Sequence, residues 1–178
     1  AVPAGGVRAF AVPGDSAVRL RSEEDRPFAA VGTVDAGGSE HEWGFSLVPE
    51  PLLTPQALLG WGPGRDPASD LVPGENAGQV WVTPVLPAGG AGPVAICADY
   101  GGDNRGALLD AAGFSYDRLL SLEPLQRARV YDVDGDQTGM VLYVCDDSGA
   151  GLAVAWGQDP SLASPGAPGI DLGTTIPP

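Results

Sequence analysis

Short apolar runs of roughly four to eight residues, broken by Gly, Pro and Asp, recur along the whole chain. Runs of that length and punctuation read as strands, and they predict strands near 6–12, 16–22, 27–35, 41–48, 56–61, 78–85, 93–100, 127–132, 138–146 and 151–157. In 16–22 apolar residues alternate with Arg19 and Arg21, the period of a strand with one wet face. The run 79–83 is β-branched and aromatic, which suits a pleated surface. Residues 140–144 are apolar on both faces, so this strand is expected at the centre of a sheet, covered on each side. Turn signals such as Pro13-Gly14-Asp15, Pro73-Gly74 and Asp134-Gly135-Asp136 fall between the runs. A helix finds room only within 105–122, where Gly113 and Pro124 hold it to a turn or two.

Ten short strands with regular turns predict an all-β fold, an antiparallel β-sandwich or jelly roll, as one module over 1–178. Two stretches, 62–78 and 158–178, lack the pattern and are rich in Pro, Gly, Ser and Asp. The second reads as an extended tail leading toward a neighbouring module. A degenerate similarity between 7–15 and 127–136, each followed by further strands, points to two related halves, 1–61 and 123–178.

Composition narrows the partners. Twenty-three acidic residues face nine basic ones, all Arg, for a formal net charge of −14. A polyanion would be repelled, with no basic stripe to release its counterions, so nucleic acid is not an expected partner. Anionic membrane surfaces are disfavoured for the same reason, and no apolar run reaches the ~20 residues of a spanning helix. Gly (27) and Pro (18) make up about a quarter of the 178 residues, which together with 43% hydrophobic content indicates a packed fold rich in turns. The sequence opens at Ala1 and its only Met is Met140, as expected of a processed or excised piece.

Cys97 and Cys145 each sit in a strand-like run. An even count in an acidic, lysine-free chain suits a secreted protein with one disulfide. The bridge would close a loop of nearly fifty residues, worth about 4 kcal/mol in the chain-entropy model. The alternative is two buried thiols packed as small hydrophobes.

Other chemistry is sparser. Asp132, Asp134 and Asp136 resemble the opening of a calcium loop, where alternating carboxylates converge on a hard cation, with Asp99, Asp103 and Asn104 as further oxygens. Gln137 stands where an EF-hand has its turn Gly, and Tyr143 where it has its Glu; the plainer reading is a hairpin turn with Asx hydrogen bonds. His41, between Glu40 and Glu42, is the only histidine, and no Gly-x-Ser-x-Gly elbow accompanies it. The glycine-rich run 87–93 has no Lys and so does not read as a phosphate loop. Trp43, Trp61, Trp81 and Trp156 offer either a sugar-stacking platform or core packing, with Trp61 the one expected to be exposed.

The run Tyr131-Asp132-Val133-Asp134-Gly135-Asp136-Gln137-Thr138-Gly139, followed by the 152–155 core and by 170–177, resembles repeat modules of large secreted bacterial surface proteins. More distantly it is similar to the N-terminal β-domain of the IgGFc-binding-protein type. The likeness covers the last third, more loosely the first third through 27–31, and little of 60–120. It implies an extracellular β-module and no catalytic residue. The expectation is therefore a non-catalytic structural module at the cell surface, self-associating or meeting tandem neighbours through extended termini and strand edges. The alternative is an adhesin module for carbohydrate or a host protein, using Trp61 and the 62–78 loop.

Overall fold

A computed structural model describes residues 2–3, 5–22, 26–35, 42–63, 78–132, 137–158 and 173–177. Twelve strands occur among them: β1 (Val31–Asp35), β2 (Glu42–Ser46), β3 (Gln56–Leu58), β4 (Gly78–Val85), β5 (Val94–Asp99), β6 (Leu108–Leu109), β7 (Ser115–Tyr116), β8 (Arg118–Leu122), β9 (Ala128–Val130), β10 (Val141–Val144), β11 (Gly151–Gln158) and β12 (Gly173–Ile176). One turn of 3-10 helix covers Glu50–Leu52. Two four-stranded antiparallel sheets, ordered β3-β10-β5-β8 and β12-β11-β4-β9, form the body. Alternation turns Ile96, Ala98 and Leu142 of the first sheet and Val80, Val82 and Val154 of the second into one shared core. The expected sandwich is thus the observed fold.

The strand β10 lies between β3 and β5, the central place expected of it, with Leu142 buried and Val141, Tyr143 and Val144 half-buried. Cys97 of β5 and Cys145, just past β10, form a disulfide with Cα atoms 5.8 Å apart. The ladder is continued beside it by Cys145, whose N–H donates to the Ala95 carbonyl at 3.0 Å. Asp146 then replaces the next rung, its Oδ2 accepting the Ala95 N–H at 2.5 Å.

A third layer covers the second sheet. Every residue of β4 from Gly78 to Pro84 is buried, outward-facing Gln79, Trp81 and Thr83 included. The cover is the hairpin β1-β2, whose Trp43 is 7% exposed and lies 5.7 Å, centroid to centroid, from Trp81. Trp43 rests on a directly opposed glycine pair, Gly157 of β11 and Gly173 of β12, where a Cβ on either would fall inside the indole. Two missing side chains make the seat for one large ring.

Several sequence expectations are corrected. No strand forms in 6–12 or 16–22; the Pro13-Gly14 turn interrupts them, and 16–22 keeps only an isolated bridge, Ser16 to Gln126. The helix expected in 105–122 is absent. Instead β6-β7 forms a small hairpin and β8 pairs with β5, because Gly113 takes φ +88° and Gly106 lies too close to the Tyr116 backbone for any Cβ. The tail 158–178 contains β12, which pairs with β11 of its own sheet. Of the two stretches matched as a repeat, 7–15 is coil and turn, whereas 127–132 carries β9.

Candidate functional site

The calcium-loop residues are only partly in view. Asp134 and Asp136, like His41, lie outside the described residues, and the base of their turn is held by neighbouring groups. The buried Gln137 accepts the Asp132 N–H at 2.8 Å through Oε1 and donates its own N–H to the Gly62 carbonyl at 2.7 Å. The residue standing where a calcium loop has glycine therefore works as a clamp. The further oxygens do not gather with Asp132. Asp99 accepts the N–H groups of Gly102 (3.0 Å) and Asn104 (2.9 Å), closing its own loop. Asn104, at φ +57°, accepts the Ser115 N–H at 2.5 Å, and Asp103 faces Arg105 at 3.6 Å. Among the described residues no three His, Cys, Asp or Glu side chains converge in a way that would hold a metal ion.

The same use of carboxylates recurs elsewhere. Asp110 accepts the N–H of Ala112 and of Phe114, both at 2.9 Å, and Asp117 accepts that of Tyr100 at 2.8 Å. Aspartates thus serve as turn acceptors, which accounts for part of the acidic composition structurally. Asp146 follows suit. Partial burial pushes its pKa up, but hydrogen bonds from Ala95 and Ser148 outweigh burial and hold it below the usual carboxylate value. Tyr143 points outward from β10, its hydroxyl enclosed without a well-aligned partner among the described residues. Burial first, and the Asp110 carboxylate second, push its pKa up to about 12.

The four tryptophans do not form one platform. Trp43 and Trp81 are buried against each other, and Trp156 is a core residue whose Nε1–H donates to the Pro63 carbonyl at 3.1 Å. Trp61 alone is open, 65% exposed, its ring 5.9 Å from that of Trp156.

The largest unexplained feature is the N-terminal arm. It is tied to the body at one rim of the sandwich, where residues 123–127 cross from β8 in one sheet to β9 in the other. Leu125, held at φ +63°, donates to the Pro84 carbonyl (3.1 Å) and accepts the Ala17 N–H (2.8 Å), while the Arg127 N–H donates to the Asp15 carbonyl (3.1 Å). The Arg127 guanidinium reaches the Gly14 carbonyl. Arg19 donates to the Leu86 carbonyl at 2.9 Å and meets Glu50 at 3.0 Å. Beyond this anchorage the chain turns at Pro13, whose carbonyl accepts the Ser16 N–H at 3.2 Å. The arms of that turn enclose an open groove of about 360 Å³ lined by apolar side chains such as Phe10, Val12, Val18 and Leu20. Val7 is 94% and Phe10 68% exposed. Strand-like patterning flagged 6–12 but not its lack of a partner strand. No local signal marks Leu125 and Arg127 as its anchor.

Set against family models, curated proteins and solved structures, the chain has no match. No helix among the described residues is long and apolar enough to cross a membrane. The disulfide suits an oxidising compartment.

Proposed function

We propose that the chain is a non-catalytic, extracellular structural module of a bacterial surface protein or filament, associating with copies of itself or with tandem neighbours. One observation carries this reading: an anchored arm that holds Val7 and Phe10 in solvent although the body offers them no core. Isolated exposed apolar residues are ordinary, but a β-competent run of them on an extended segment is suited to completing another sheet. The disulfide and the resemblance of 131–139 to surface-protein repeats support the extracellular assignment. Because β12 pairs within its own sheet, the assembling terminus in this reading is the N-terminal arm. Calcium held by Asp132, Asp134 and Asp136 belongs to the same proposal, as a counter-charge between acidic modules. Sedimentation velocity across a concentration series tests it: the full chain self-associates, and removal of residues 2–12 abolishes association. A chain that stays monomeric throughout overturns it.

The exposure of Trp61 favours a second reading, an adhesin module that stacks a sugar or a host-protein side chain on that ring. Here a glycan array gives one saturable ligand that Trp61→Ala loses; an array with no such ligand removes the reading for carbohydrate.

A further inference from the structure

We infer that the acceptor for the arm is the open edge of β8 in a second copy of this chain, so that residues 7–12 of each copy add a fifth strand to the other's first sheet. This rests on the self-assembly reading above and specifies its contact.

The edge can be read from the ladder. Ala95 uses its carbonyl on the β10 side, accepting from Cys145, so alternation along β5 turns Ile96 toward β8, where it pairs with Leu120. Leu119 and Ser121 consequently direct their backbone N–H and C=O away from the sheet, and no described residue pairs with them in the backbone ladder. Of the four edge strands of the two four-stranded sheets β8 is the longest, at five residues against three for β3 and β9 and four for β12. It carries no proline, and Leu119 is 52% exposed on its outer face.

Length, charge and position agree on the donor. Six extended residues span about 20 Å, enough to cover five strand residues. Residues 1–22 carry Arg8, Arg19 and Arg21 against Asp15 alone, whereas the remaining 156 residues hold 22 acids and six Arg. Exposed Glu123 follows β8 and Arg118 begins it, so Arg8 meets an acid when the arm runs antiparallel to β8, the direction this contact takes. The competing edge at the same rim, β9, presents Arg127 and Arg129 and would repel Arg8. The five-residue link 123–127 also puts β8 and the arm's anchor on one rim, so two copies meeting there across a two-fold axis exchange arms over a short reach.

The test places the photo-cross-linker benzoylphenylalanine at position 10, an exposed site, in the full chain and maps the products by mass spectrometry. Expected are intermolecular cross-links to the 118–122 peptide. A companion variant, Ser121→Pro, removes an edge N–H without touching the β5 ladder. It should lower cross-link yield and dimer content at least tenfold while near-ultraviolet dichroism stays native, and Leu58→Pro on the β3 edge should leave both unchanged. Oligomers whose cross-links fall on another segment overturn the β8 assignment and leave self-assembly standing. A monomer at every concentration overturns both.

Discussion

The glycine seat beneath Trp43 yields a sharp energetic test. Trp43 is 7% exposed. Burying an indole removes roughly 200 Å² from water, about 5 kcal/mol at 25 cal/mol per Å². Since the β1-β2 layer can relax over the lost ring, Trp43→Ala should cost about 3 kcal/mol, the low end for such truncations. Gly173 has room for a Cβ only if the ring moves, and its backbone is not in the left-handed region. Gly173→Ala should therefore cost about 2 kcal/mol by overpacking in the native background. In the Trp43→Ala background the sign reverses, because alanine in an extended strand gains roughly 0.5–1 kcal/mol over glycine. The two changes should thus couple by about 2.5–3 kcal/mol. Urea denaturation of the four proteins, with Trp fluorescence and far-ultraviolet dichroism as separate probes, measures the cycle. If Gly173→Ala costs the same in both backgrounds to within about 0.5 kcal/mol, the seat does not hold the hairpin and the argument fails.

Other outcomes follow from the disulfide and the titrating groups. Replacing Cys97 and Cys145 by Ala should lower unfolding free energy by about 4 kcal/mol, from the loop of 48 residues closed by the bridge, measured as a shift in denaturant midpoint against the oxidised protein. The Tyr143 pKa is raised from 10.0 to about 12 in the folded chain, so the unfolded chain gives up that proton first. Stability is full below pH 10 and falls as pH rises toward 12; Tyr143→Phe should remove that part of the alkaline slope together with a late-titrating component of the phenolate absorbance. Asp146 has the opposite sign. Its lowered pKa gives stability that is present above the unfolded carboxylate value near 3.8 and lost as pH falls through the folded one, so Asp146→Ala should flatten acid denaturation curves. For the proposed calcium turn, saturating calcium should raise the thermal midpoint by roughly 5 °C and Asp136→Asn should abolish the rise; an unchanged midpoint rejects the ion.

Much of the sandwich was legible from pattern because its strands carry their own burial code. The run 78–85 matches β4 end to end, and 140–144 declared its interior place by being apolar on both faces. What pattern cannot report is whether a strand-like run has a neighbour. Val7 to Val12 is as short and apolar a run as many true strands, yet its chain leaves the β9 rim at the Pro13 turn and pairs with nothing described. The reverse error occurred at β12, where Gly173 and two threonines looked like linker; glycine is needed there because a ring from residue 43 occupies the side-chain position. Of the site residues, the cysteine pair and exposed Trp61 were readable. The Asp99 loop was misjudged, because composition shows a carboxylate but not the amide hydrogens that already claim it.

The opposed glycines under Trp43 also have a temporal meaning. One wall of that seat is residue 173, 130 positions after the tryptophan it receives. During synthesis the indole must wait, uncovered on that side, until residue 173 has emerged. A chain cut before 173 would leave a large apolar ring with one wall of its seat missing, so closure of this outer layer couples two positions far apart in sequence.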